Sequence, residues 1–84
     1  MKKVIYQATF GEQNEKQASA ILNRYKNGYW VTGFNGVKHE FELLINGKIV
    51  ETFRATLNNA KKHAEKRMID EFIYLNPIKN EKLS

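Results

Sequence analysis

Between Tyr29 and Ala55 apolar and polar residues alternate, and the run is broken twice by Asn-Gly, at Asn35-Gly36 and Asn46-Gly47. Asn-Gly between alternating runs is the strongest short-range hairpin signal, because both residues accept the positive φ of a type I′ turn. The pattern predicts three strands, 29–34, 38–45 and 48–55, joined as an antiparallel meander. On the second, Phe41, Leu43 and Ile45 share one face, while Glu40 and Glu42 share the other. A strict two-residue turn at Asn46-Gly47 sets Glu42 opposite Glu51, and like charges directly opposite destabilise a ladder. A β-bulge that shifts the pairing by one instead puts Glu42 near Thr52 and Glu40 near Arg54, and is expected for that reason.

The flanking segments follow other periods. Residues 3–10, KVIYQATF, are rich in β-branched and aromatic types and read as a strand closed by Gly11. Ala18, Ile21, Leu22 and Tyr25 recur at i, i+3, i+4 and i+7, the spacing of a helical face. With Asn14 as N-cap and Asn27-Gly28 as stop, this predicts a helix over 15–27. A second helix is predicted over 57–75, capped by Thr56 and ended by Asn76-Pro77. Its stripe of Leu57, Ala60, Ala64, Met68, Phe72 and Leu75 steps by three and four. The expected fold class is α+β, in the order β-α-β-β-β-α, with two helices packed on one face of the sheet. A single domain is expected over 1–76, followed by a flexible tail over 77–84.

Composition limits the chemistry. The 84 residues, 42% apolar and 12% aromatic, suffice for one core. There is no cysteine, which removes disulfides, thiolate metal sites and thiol nucleophiles, and suits a reducing, cytoplasmic setting. Met1-Lys2-Lys3 resembles the charged start of a signal peptide, but Gln7, Glu12 and Asn14 interrupt the apolar run that must follow. No stretch reaches the roughly 20 apolar residues of a membrane span, so no membrane partner is expected. His39 and His63 lie on different predicted elements without HxxxH or HxxE spacing, and no metal or other cofactor is expected. Neither serine, Ser19 nor Ser84, has a nucleophile-elbow context, and the five glycines form no phosphate loop. The sequence therefore points away from an enzyme.

A net charge of +5 and a pI near 9.6 favour a polyanionic partner. A Lys-, Asn- and Ile-rich composition raises the pI without any ligand, so placement has to decide. Residues 58–67, NNAKKHAEKR, hold Lys61, Lys62, Lys66 and Arg67 with Glu65 as the one acid. On a helix, Asn59, Lys62, His63 and Lys66 point away from the Ala60/Ala64 stripe and Lys61 flanks it, a surface suited to phosphates near a helix N-terminus. A solvated helix face accounts for the same charges. Ile69 and Ile73 project on the side of Lys62 and Lys66, where two apolar residues one turn apart suit a protein partner. Trp30 and Phe34 allow a third reading, in which aromatic rings on a sheet stack single-stranded bases.

The predicted helix, meander and helix resemble the double-stranded RNA-binding domain family over about residues 15–75. Leu22-Asn23-Arg24 is similar to that family's first-helix segment, and Gly36-Val37-Lys38-His39 to its histidine-bearing loop, with Phe41 following. Leu57-Asn58-Asn59-Ala60-Lys61, with Ala64, is similar to the start of its closing helix, the paired lysines being displaced to Lys61 and Lys62. The resemblance implies recognition of duplex RNA by shape, with two minor grooves and the phosphates between them contacted. The implied contacts are Gln17 and Arg24 on the first helix, Lys38 and His39 in the loop, and Lys61, Lys62 and Lys66 on the second. The leading expectation is a non-catalytic module for duplex RNA, or DNA. The alternative is a small phage- or mobile-element-type accessory protein that binds and inhibits a host protein or nucleic-acid enzyme.

Overall fold

Asn46 and Gly47 both take positive φ, 51° and 85°, so the predicted turn closes as a tight hairpin. The structure, a computed structural model, describes residues 2–12, 14–30, 33 and 36–77. Four antiparallel strands lie side by side in chain order: β1 (Lys3–Phe10), β2 (Ala18–Trp30), β3 (Val37–Ile45) and β4 (Lys48–Ala55). One helix, α1 (Leu57–Leu75), follows them, with Thr56 accepting the Asn59 N–H at 3.3 Å as N-cap. The bounds of β1, β4 and α1 match those read from the sequence.

The order β-β-β-β-α overturns the expected β-α-β-β-β-α and its two helices on one sheet face. The predicted helix over 15–27 is largely β2. Its residues fit both periods, which is why the helical spacing misled. As a strand, Ala18, Ala20 and Leu22 point one way and are fully buried, while Ser19, Ile21 and Asn23 point the other way. Pairing to β1 on one side and β3 on the other gives this backbone two sets of hydrogen-bond partners and overrides a weak helical propensity. Asn27-Gly28 is consequently no helix stop but lies inside β2. A Cβ on Gly28 would stand 2.6 Å from His39 Cε1 and would collide with Val37. Of the expected strand over 29–34, Tyr29 and Trp30 end β2, while Val31, Thr32 and Phe34 lie outside the described residues.

The bulge in the last hairpin is present. Register shifts between Leu43 and Leu44, which pairs Glu42 with Thr52 and Glu40 with Arg54 and keeps Glu42 away from Glu51. The face bearing Phe41, Leu43 and Ile45 meets α1 through Ala60, Ala64 and Met68, all buried. Small residues meet small residues at this contact, Ala18 and Ala20 from β2 with Ala60 and Ala64 from α1, so the helix can lie close to the sheet. Phe41 stacks on Phe53 at 5.6 Å.

α1 crosses the sheet diagonally. It begins at the end of β4 and finishes beside the β1–β2 connection, where Phe72 meets Phe10 edge-on at 4.8 Å. There the Asn76 side chain accepts the Lys16 N–H at 3.0 Å and donates to the Lys16 carbonyl at 2.7 Å. Among the described residues no helix covers the opposite face of the sheet. β2 also outruns its neighbours: Lys3, the first residue of β1, pairs with Arg24, and Ala55, the last of β4, pairs with His39. Residues 25–30 and 37–38 therefore project as a two-stranded arm, part of a molecule 50 Å long and 16 Å thick. Among the described residues no helix is long and apolar enough to cross a membrane. Of the expected tail, residues 78–84 lie outside the described residues.

Candidate nucleic-acid interface

The basic run of α1 is divided by its own periodicity. Lys61 and Lys62 are exposed, and among the described residues neither forms an ion pair. Lys66 is exposed and meets Asp70 at 3.3 Å, one turn on. Arg67 turns inward and its guanidinium donates to Glu51 Oε1 at 2.9 Å. His63, expected to face outward, does the same: Nε2 lies 2.7 Å from that oxygen, and its ring stands edge-on to Phe53 at 4.9 Å. Glu51 is on the helix-facing side of β4, opposite Leu43, so one carboxylate fastens α1 to the edge of the sheet through two side chains. Asn59 is exposed, and the first turn of α1 contains no acid. The outward cationic surface is thus Lys61, Lys62 and the partly neutralised Lys66, with Asn59 beside them.

The other predicted contacts are not gathered there. Gln17 is exposed just ahead of β2, its amide donating to the Gly11 carbonyl at 3.3 Å, near the C-terminal end of α1. Arg24 and Lys38 lie on β2 and β3, both half-buried, Arg24 opposite Phe41 and Lys38 opposite Tyr29. His39 is no loop residue: it sits in β3 opposite Ala55, on the face of Phe41, with Nδ1 buried and without a hydrogen-bond partner. Burial, reinforced by the nearby Arg24 guanidinium, holds its pKa below the usual histidine value. A histidine so placed packs within the arm, beside Gly28 and Phe41. With the first helix replaced by β2, the three-part surface of a double-stranded RNA-binding domain is not assembled.

Ile69 is half-buried and lines a shallow concavity of about 320 Å³ with Lys62, Glu65, Lys66 and Asp70. Ile73 beyond it is 55% exposed and its neighbour Tyr74 78% exposed. Ile69 thus shares a concavity with Lys62 and Lys66, and Ile73 is much more open than Ile69.

Sequence reasoning missed a second charged surface on the sheet face away from α1. Lys26, Glu40 and Arg54 form one row across β2, β3 and β4, with Asn23, Glu42 and Thr52 in the next row. Tyr29 donates to Glu40 Oε2 at 3.1 Å, Arg54 Nε lies 3.9 Å from the same oxygen, and Lys2 binds Glu42 at 2.9 Å. Desolvation pushes the Glu40 carboxyl upward, but hydrogen bonds from Tyr25 and Tyr29, with Lys26 and Arg54 nearby, outweigh it and leave the pKa below the ordinary value. The hydrogen bond from Lys2 lowers Glu42 similarly, against desolvation. The sequence signal was present as Arg24-Tyr25-Lys26-Asn27-Gly28-Tyr29-Trp30, cations interleaved with aromatic rings. Among the described residues no three His, Asp or Glu side chains group as a metal site. No family model, curated protein or solved structure matches this chain.

Proposed function

We propose that the chain is a non-catalytic nucleic-acid-binding module whose helix lays Lys61, Lys62 and Lys66 along the phosphate backbone of a duplex, RNA first and DNA second. The observation that carries this is the adjacent pair Lys61 and Lys62, exposed and outside every ion pair of the described residues. Two unneutralised cations near a helix N-terminus present side-chain charge and helix dipole to the same anion. Asn59 adds an amide donor beside them. Such contacts fix position without reading bases, so the module distinguishes charge and shape and not sequence. A cytoplasmic setting, where duplex polyanions are met, belongs to the same reading.

The test is a gel shift of a mixed-sequence duplex at several salt concentrations. Three phosphate contacts predict a slope of log affinity against log salt of about −2.7 on B-form DNA. Lys61→Glu with Lys62→Glu removes binding while the fold persists. An affinity that ignores both salt and this double substitution rules the reading out.

A second reading rests on Ile73 and Tyr74, 55% and 78% exposed at the C-terminal end of α1. An apolar step there, continuing Ile69, suits an accessory protein of the phage or mobile-element type that docks on a host protein. Ile73→Asp abolishes partner capture under that reading and leaves nucleic-acid affinity unchanged under the first.

A further inference from the structure

The arm carries a site that the helix does not. β2 shifts register twice against β3, between Arg24 and Lys26 and again between Lys26 and Tyr29. Bulges re-aim successive side chains, and here they open the strand on both sides. One concavity of about 570 Å³ is lined by Lys26, Asn27, Tyr29, Glu40 and Arg54. Another of about 530 Å³ is lined by Lys2, Lys3, Arg24, Tyr25 and the same Lys26 and Asn27. Lys26 and Asn27 line both, so the two adjoin as a groove around the edge of β2 that β1 leaves uncovered, with Lys3 and Arg24 on the side of Phe41 and Lys26 on the side of Glu40.

Its chemistry is specific. Five cations line the two concavities with one carboxylate, Glu40, and Lys2 reaches a second, the buried Glu42, beside them. Those two carboxylates are matched by Arg54 and Lys2, which leaves Lys3, Arg24 and Lys26 in excess. Tyr25 is 37% exposed, and the Tyr29 hydroxyl is anchored on Glu40 at 3.1 Å, so phenol rings stand in a positively charged cleft. Each concavity falls in the size range of small-ligand sites. Cations beside aromatic rings suit a chain whose phosphates and base faces are both accessible. A duplex offers only the phosphates, because its bases are stacked inside.

We propose that this groove binds an unpaired stretch of a nucleic-acid strand, with bases against Tyr25 and Tyr29 and phosphates against Lys3, Arg24 and Lys26. The Asn27 amide is placed between the two ends to meet a base edge or a sugar. The inference rests on the nucleic-acid reading given above but assigns a different surface and a different form of the ligand.

The experiment measures fluorescence anisotropy of a labelled oligothymidylate and a labelled mixed-sequence duplex, with circular dichroism to follow folding. Wild-type protein binds the oligothymidylate. Lys3→Ala with Lys26→Ala weakens that binding and reduces the magnitude of its salt slope by about 1.4, the value for two phosphates on a single strand. Tyr25→Leu with Tyr29→Leu weakens it by about fivefold or more for each ring lost from a stack. Neither pair alters duplex affinity, whereas Lys61→Glu with Lys62→Glu alters duplex affinity alone. Should the tyrosine pair unfold, the exposed Lys3 and Lys26 decide the matter. Wild-type protein that binds duplex but not oligothymidylate overturns the groove and leaves the helix reading standing. Oligothymidylate binding that depends on Lys61 and Lys62 and ignores the groove substitutions overturns it as well. Loss of neither ligand by any variant, or binding of neither by wild type, removes both proposals together.

Discussion

The outer face of α1 and the groove over β2 look opposite in the sequence and in space. The helix holds the densest run of cations in the chain, yet across Leu57–Leu75 four cations stand against three acids, Glu65, Asp70 and Glu71. Folding then commits Arg67 to Glu51 and Lys66 to Asp70. The groove draws its cations from three strands and the residue before β1, Lys2, Lys3, Arg24, Lys26 and Arg54, against only Glu40 and Glu42. A cation inside a charge run on a packed helix has a good chance of meeting an acid three or four residues away, or the sheet edge beneath it. Cations converging from separate strands have fewer such neighbours. Local charge density along the chain is therefore a poor guide to the field a ligand meets, and under the two proposals the surfaces differ in what they would read: one only charge, the other charge and base faces.

The largest expected effect removes both surfaces together. Phe41 is fully buried and stacked on Phe53, so Phe41→Ala costs about 3–5 kcal/mol by urea denaturation and abolishes binding to either ligand. Next in size is a change confined to the arm. Gly28→Ala forces a methyl group to within 2.6 Å of His39 Cε1 and against Val37, a clash of the overpacking kind worth about 1–3 kcal/mol. Single-strand affinity falls with it, while duplex affinity through Lys61 and Lys62 persists in the folded fraction. Equal loss of both ligands there means the two surfaces are not independent.

The same contrast explains how much was legible beforehand. β1, β4 and α1 were readable to their ends because each has a single dominant period and a clear stop: Gly11, Ala55 before the Thr56 cap, and Asn76-Pro77. The bulge opposite Asn46-Gly47 followed from like-charge repulsion between Glu42 and Glu51 alone. β2 was not readable, since Ala18, Leu22 and Tyr25 satisfy a helical spacing and Ala18, Ala20 and Leu22 an alternating one. Only the availability of β1 and β3 as partners decides between them, and that is a tertiary fact. Taking 15–27 as a helix placed a boundary at Asn27-Gly28 and cut the Arg24–Trp30 run in two, which hid the groove. On α1 the exposed lysines were legible, but the inward turn of His63 and Arg67 depended on Glu51 of a neighbouring strand.

Glu51 offers a smaller perturbation that sharpens the comparison from the other side. Its Oε1 receives both Arg67 at 2.9 Å and His63 at 2.7 Å, all three side chains being partly exposed. Glu51→Gln keeps the shape and removes the charge, and for a solvent-screened pair the loss is about 0.5–1 kcal/mol. The substitution also releases Arg67 from its carboxylate. Duplex affinity is expected to rise and its salt slope to steepen by up to about 0.9, one further phosphate contact, with oligothymidylate affinity unchanged. A weaker duplex complex would mean that α1 must be held firmly against β4 for Lys61 and Lys62 to act together.

The smallest effect is a pH dependence carried by the arm and absent from the outer helix face. His39 is held below the usual histidine pKa by burial first and by Arg24 second, and its buried Nδ1 has no acceptor for a second proton. In the unfolded chain the same imidazole titrates near its ordinary value of about 6.5. The unfolded state therefore takes up the proton first, and stability falls as pH is lowered through that value, while above it both states are neutral and the residue contributes no slope. Urea midpoints measured from neutral to mildly acidic pH should decline for the wild type more than for His39→Gln, which cannot take up the proton. The difference between the two proteins isolates His39 from His63, whose contact with Glu51 is common to both. Because His39 packs beside Gly28, single-strand affinity should weaken over the same acidic range in the wild type and stay level in His39→Gln. Parallel pH profiles for the two proteins would show that the arm absorbs the added charge without loosening, and that its bulges are set by the backbone of β2 alone.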